Sequence, residues 1–181
     1  QFAKSNNLSL ETAARKVRYN LFERVNEGVI ATAHTASDNL ETMLLNLARG
    51  TAIDGLCGIP VKRDYIVRPI ISATRDDIEN YCKDNNLKFM TDSTNLTNDY
   101  TRNKIRHKIV PVLKEINPKV ESLALKTSKS LSEASTFIKQ EAKKYIADFS
   151  KSDSLSVENF KTLSPTLAKN IIIEFVKTIE F

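Results

Sequence analysis

The sequence predicts an α/β fold, with a parallel-sheet domain over residues 1–116 and a smaller all-helical domain over residues 117–181. Three observations lead there. The short, almost wholly apolar run Val29-Ile30-Ala31-Thr32-Ala33 passes directly into a helical pattern, the strand, turn and helix alternation of α/β proteins. A second extended run, Tyr65-Ile66-Val67, closed by Arg68-Pro69, also leads into a helical pattern. After Asn117-Pro118 only helical patterns and one connector remain, and a proline with its predecessor is where helices end.

Each element has its own signals. A first helix is expected from Leu8 to near Asn26. Ser9 can cap it, Glu11 sits in its first turn, and Leu10, Ala13, Ala14, Val17 and Leu21 recur at helical spacing. Glu27-Gly28 stops it. The Val29–Ala33 run suits a strand buried on both faces. Thr35 or Ser37 can cap the next helix, in which Leu40, Met43, Leu44 and Leu47 form one stripe before Gly50.

A loop with Gly55, Gly58 and Pro60 precedes the second strand. Thr74-Arg75-Asp76-Asp77 then resembles a capping box with Asp in place of Glu, and Ile78, Tyr81 and Cys82 are its expected buried face. Asp92-Ser93-Thr94-Asn95 and Thr97-Asn98-Asp99 read as a polar loop. Helix resumes at Tyr100, and Pro111 should kink or divide it. Residues 119–149 form one long helical pattern and 154–160 a connector. Residues 162–180 form a last helix around Ile171-Ile172-Ile173.

Composition narrows the classes. With 41% hydrophobic and 27% charged residues, only four Gly and five Pro, the chain is neither disordered nor collagen-like. No apolar run approaches the roughly 20 residues that span a bilayer, and no signal-peptide core follows Gln1, so a cytoplasmic protein is expected. Cys57 and Cys82 are far apart and form no C-x-x-C pair, so two reduced, half-buried thiols are expected rather than a metal or redox centre. The net charge of +5 is small, but Arg102, Lys104, Arg106, Lys108 and Lys114 lie together with no acid among them. Such a segment is either a phosphate-facing patch or a solvated helix face.

The chemistry concentrates where His34 leaves the first strand and Asp38 opens the next helix, since ligands of open α/β sheets bind at that end of the strands. Asp38 and Glu41 are one helical turn apart near the positive helix end, where two carboxylates can hold an ammonium group or a metal. The plainer alternative is a solvent face, because both point away from the apolar stripe. Arg102 and Arg106 fall on the same side as Ile105, Ile109 and Leu113. They are therefore paired with acids such as Asp92 and Asp99, aimed at a phosphate, or laid along apolar surface by their stems.

Several motifs in order resemble the tRNA(Ile)-lysidine synthases of the PP-loop ATP pyrophosphatase superfamily. The A-H-x-x-D-D-x-x-E-T stretch is matched by Ala33 to Thr42, with Ser37 in place of the first acid. Leu47-Ala48-Arg49-Gly50, Gly55-Leu56-Cys57-Gly58-Ile59-Pro60 and Ile66-Val67-Arg68-Pro69-Ile70-Ile71 follow, then Asp76-Asp77-Ile78-Glu79. Asp92-Ser93-Thr94-Asn95 and Tyr100-Thr101-Arg102-Asn103-Lys104-Ile105-Arg106-His107 complete the set, and Glu11 to Arg15 with Arg18-Tyr19 is similar to an upstream family helix. The match covers residues 8–116.

The resemblance implies a Rossmann-like domain of the adenine nucleotide alpha hydrolase type and a helical central domain. It implies a ligase that uses ATP, with Mg2+ held mainly by phosphates, to join free lysine to the wobble cytidine of tRNA(Ile). The cytidine's carbonyl oxygen attacks the α-phosphate, pyrophosphate leaves, and the lysine amine then displaces AMP. Carried onto this chain, it implies catalytic roles for His34, Asp38 and Glu41. Substrate-binding roles fall to Arg18, Arg49, Asp92, Arg102, Asn103 and Arg106, with no metal ligand, and family members are often homodimers. The family's S-G-G-x-D-S phosphate loop is not among these residues and is expected before Gln1, so this piece alone is expected to be inactive. Two other readings stay open: a tRNA-thiolating relative, for which paired cysteines are missing, and a non-catalytic RNA-binding helical module.

Overall fold

The computed structural model describes residues 2–6, 8, 10–24, 28–90, 101–151, 154–156 and 160–179. Helices α1 (Phe2–Ser5) and α2 (Leu10–Arg24) lead into strand β1 (Ile30–Ala31), which pairs in parallel with β3 (Ile66–Val67), Ile30 opposite Ile66. Between them lie α3 (Ala36–Arg49), α4 (Ile53–Leu56) and β2 (Lys62–Arg63). Strand β2 turns back on β3 as an antiparallel partner through Asp64, whose φ is 53°. The sheet is therefore mixed, in the order β1-β3-β2, and not wholly parallel. Two exposed charged residues with no apolar alternation gave β2 no signature in the sequence.

The expectation that β1 is buried on both faces fails. Ile30 is only half-buried, Ala31 is exposed and Val29 is 66% exposed, because β1 stands at an edge of the sheet. Ile66 in the central strand is buried. Val17 and Leu21 on α2 are likewise exposed, and of that predicted stripe Ala13 is buried.

Thr35 caps α3 in a full capping box: its hydroxyl oxygen accepts from the Asp38 N–H at 3.3 Å, and the Asp38 carboxylate accepts from the Thr35 N–H at 2.9 Å. Ser37, the other candidate cap, turns inward instead and accepts from the Arg75 N–H at 3.0 Å, joining α3 to the start of α5 (Arg75–Asp84). Helix α5 has the expected box with Asp in the Glu position. Thr74 and Asp77 exchange bonds, and the Thr74 hydroxyl and N–H hold the Asp77 carboxyl below its ordinary range. Thr74→Ala should cost about 1 kcal/mol by leaving first-turn donors unpaired, checked as a lower midpoint in denaturant titration. Tyr81 is 63% exposed rather than buried, while Ile78 and Cys82 are half-buried.

Pro111 divides the next helix. After α6 (Thr101–Lys104), residues Ile105–Ile109 form a π-helical turn in which the Val110 N–H reaches back to the Ile105 carbonyl, and α7 (Val110–Ile116) follows. Proline has no N–H for the carbonyl four residues before it, so the ladder widens by one residue at that point.

Asn117 ends α7 in an extended conformation, and α8 (Val120–Phe149) begins. Its first half packs on α3 and α4, adding Val120 and Ala124 to the buried cluster of Leu40, Ile105 and Val110. Its second half packs on α9 (Pro165–Val176), where Ala142, Tyr145 and Ile171 are buried. Residues 117–181 are not all helical. After α8 come β4 (Ser150–Lys151) and, in the connector, β5 (Ser154–Leu155), an antiparallel ribbon whose Leu155 packs into that second cluster. Of the triple isoleucine only Ile171 is buried; Ile172 and Ile173 are 52% and 42% exposed.

Candidate active site

Helix α3 brings Asp38 and Glu41 to the same face one turn apart, and α6 with the following π turn brings Arg102 and Arg106 against them. Arg102 Nε donates to Glu41 Oε2 at 2.8 Å and its Nη2 to Asp38 Oδ1 at 3.0 Å. Arg106 Nε donates to Glu41 Oε1 at 2.6 Å and its Nη2 to Glu41 Oε2 at 2.9 Å, with Asp38 Oδ1 3.6 Å away. Leu40, Ile105 and Val110 pack together behind these groups and hold the two segments against each other.

Glu41 is 2% exposed, so each carboxylate oxygen must find its donors inside the protein, and both do. Its bonds to Arg106 outweigh the cost of burying that guanidinium and hold its pKa above the ordinary value. Asp38 is more open, with its side chain 23% exposed.

The acids and the arginines, two separate features in the sequence, thus form one charge-balanced cluster. Asp38 and Glu41 do not form a bare solvent face. The arginines take the acid-paired option, but with Asp38 and Glu41 as partners; Asp92 and Asp99, the expected ones, lie outside the described residues. The basic segment is also less basic than it reads. Lys114 bonds Asp76 at 2.9 Å and Glu121 at 3.1 Å. Burial pushes the Lys114 ammonium down, the two carboxylates push it up, and they prevail. Lys104 and Lys108 remain exposed.

Of the other predicted site residues, His34 is half-buried with Nδ1 3.0 Å from Thr32 Oγ1, and Asn103 is buried beside the cluster arginine it follows in sequence. Arg18 on α2 and Arg49 in the last turn of α3 are exposed and bond to none of the four cluster residues. Asp92 lies outside the described residues. Cys57 and Cys82 are free and half-buried, as expected, and burial pushes the Cys57 thiol up.

Two residues that the sequence did not mark, Asn39 and Asn46, and one quoted only within a motif, Arg68, shape the surroundings. Asn39, fully buried, accepts the Ile59 N–H on Oδ1 at 2.7 Å, and Asn46, two turns later, donates to the Gly55 carbonyl at 2.8 Å. Together they clamp the Gly55–Pro60 loop to α3. Their spacing of seven on the helix face that meets that loop was the available signal. Arg68, 4% exposed, donates from Nη1 to the Pro60 carbonyl at 2.8 Å, and its Nε has no acceptor among the described residues.

A model of the PP-loop domain matches residues 1–113. The chain belongs to the PP-loop family. Within the family it is similar to proteins named tRNA(Ile)-lysidine synthase. That of Porphyromonas gingivalis strain W83 is 40% identical over 166 residues, covering 89% of this chain and 37% of the relative. That of Bacteroides thetaiotaomicron is 46% identical over 140 residues, 75% of this chain and 33% of the relative. The Thermosipho africanus protein is 37% identical over 185 residues, 97% of this chain and 40% of the relative. This PP-loop chain therefore spans two fifths or less of the length of those relatives. No described helix is long and apolar enough to cross a membrane.

Proposed function

We propose that the protein containing this chain is an ATP-dependent ligase that joins free lysine to a cytidine of tRNA(Ile), and that the Asp38–Glu41–Arg102–Arg106 cluster is the part of its active site held here. We place residues 1–116 in the PP-loop catalytic unit and 117–181 in a helical substrate-binding unit, acting in the cytoplasm as a homodimer. The charge-balanced cluster carries the reading.

Two carboxylates and two guanidinium groups cancel, so a cation or an anion arriving alone would leave a partly buried charge unpaired. A cationic amino acid and a phosphate arriving together would not. Asp38, the more open acid, suits the lysine ammonium group, and Arg102, whose Nη1 takes no part in the bonds to Glu41 and Asp38, suits a phosphate oxygen. Glu41, beneath both arginines, sets where their forks point, toward negative charge that develops on phosphorus. His34, at the carboxyl end of β1, stands where it can orient a substrate group.

ATP, when bound, supplies the α-phosphate that activates the cytidine carbonyl. The donor chemistry of Arg102 and Arg106 fits its phosphates. Magnesium, when bound, would be held mainly by the ATP phosphates with one or two carboxylates such as Asp38; among the described residues no three His, Cys, Asp or Glu side chains converge to hold it by themselves.

The test is lysidine formation by the full-length gene product, measured as labelled lysine incorporated into tRNA with and without ATP. Glu41→Gln should lower kcat/KM for lysine by about 100-fold, because the arginines lose their anchor. An unchanged rate and an unchanged Michaelis constant for lysine would sink the assignment.

A further inference from the structure

Away from the four charged residues of the cluster, none of which lines it, a groove of about 710 Å³ opens between the 57–63 loop and α8. One wall is the loop that Asn39 and Asn46 clamp to α3. The other is a single face of α8, on which Leu125, Ser128, Lys129, Ser132, Ser135 and Thr136 recur at helical spacing. Ser128 bonds the Cys57 carbonyl and Ser135 bonds Asp54, so the walls are tied together at fixed separation.

The groove's charge is one-sided. Asp54 is the acid on its lining, and Lys139 neutralises it at 2.8 Å. The bonds from Lys139 and Ser135 hold the Asp54 carboxyl below its ordinary range, so it stays charged and paired. Arg63, Lys126 and Lys129 on the lining are exposed and take part in no ion pair among the described residues. Behind the loop, buried Arg68 bonds the Pro60 carbonyl and has no carboxylate partner among the described residues. A buried cation without a counter-charge raises the positive potential over the surface nearest to it.

The lining also says what kind of anion fits. Ser132 offers a hydroxyl group, while the Thr136 hydroxyl donates to the Ser132 carbonyl at 2.8 Å; Ile59, Pro60 and Leu125 offer a smooth apolar wall, and among the described residues no aromatic side chain lines the groove. The described lining therefore offers no platform for base stacking, the usual means of holding unpaired bases. Lysine, arginine and hydroxyl groups along a trough are the donors that meet phosphates and sugars without reading sequence. A flat anionic bilayer cannot enter a trough between a loop and a helix.

We infer that this groove seats the sugar-phosphate backbone of a structured RNA, with Arg63 on one wall and Lys126 and Lys129 on the other contacting phosphates. This rests on the reading of the longer protein as a tRNA-modifying enzyme and names a surface through which that tRNA is held. Because Asn39 follows Asp38 in α3, the groove wall and the charged cluster are fixed to the same helical turn. Backbone gripped in the groove is thus held in a fixed position relative to chemistry at the cluster.

The experiment measures binding of a labelled tRNA(Ile) transcript to the full-length gene product over a range of KCl, with lysidine formation assayed in the same preparations. Three proteins are compared: wild type, Arg63→Ala/Lys126→Ala/Lys129→Ala, and a control, Lys161→Ala/Lys169→Ala, whose exposed lysines lie off the groove. The groove variant should bind about tenfold or more weakly at low salt, and the slope of log K against log salt should fall in magnitude by about 2 to 3. Its Michaelis constant for lysine should be unchanged, and the control should bind as wild type does. A groove variant that keeps wild-type affinity and slope, or a control that loses as much, overturns the inference. Wild-type lysidine formation with a groove variant that binds normally defeats the groove alone. Groove-dependent RNA binding without lysidine formation defeats the proposed reaction alone.

Discussion

Gly58→Ala should lower the unfolding free energy by about 3 kcal/mol, from two effects that add at one position. Gly58 has φ +66°, where a side chain costs about 1 kcal/mol even in open space. Here the space is not open: an added Cβ would lie 2.2 Å from Asn39 Oδ1 and 3.2 Å from Met43 Cγ. Asn39 is fully buried and cannot swing away, so the Asn39 to Ile59 bond must break and leave a buried amide unpaired, at about 1–3 kcal/mol. Thermal unfolding should show a midpoint lower by roughly 6–12 °C. A shift of under about 2 °C would mean that the loop relaxes freely and that Asn39 does not clamp it.

Glu41→Ala should cost a similar amount, about 3 kcal/mol. Removing one member of a buried ion cluster usually costs more because the stranded charge stays buried, but the Arg102 and Arg106 side chains are 25% and 22% exposed and water can take up part of it. The cause can be separated from simple loss of packing. Glu41→Leu combined with Arg102→Met and Arg106→Leu removes both stranded guanidinium groups and leaves only Asp38, which is 23% exposed and keeps its bonds from the Thr35 N–H and hydroxyl, so it should restore most of the stability while the proposed lysidine formation stays abolished. If the triple variant is no more stable than Glu41→Ala, stranded charge is not the cause.

The difference between what was legible and what was not follows the range of the interactions. Capping at Thr35 and Thr74, the division of the helix at Pro111 and the break at Asn117 are settled by residues within about five positions of one another, and the chain reports them directly. Strand β2 escaped notice because two exposed charged residues pair only on account of the tight turn at Asp64. Exposure of Val29 and Tyr81 escaped because an apolar residue shows which face it prefers and not whether another element covers that face.

The site divides along the same line. His34, Asp38, Glu41, Arg102 and Arg106 could be picked out from the sequence because charge at helical spacing and ordered motifs are local properties. That Asp38 and Glu41 are the partners of Arg102 and Arg106 could not, since 61 to 65 residues separate Glu41 from its two arginines. A helical wheel gives the direction of a side chain and leaves its destination open. The sequence by itself determined the main helices, the β1 and β3 segments, most of the capping signals and the inventory of charged groups. The tertiary structure decided which charges meet, because packing of Leu40 on Ile105 and Val110 brings α3 against the α6 to α7 segment, and only then does burial make pairing obligatory.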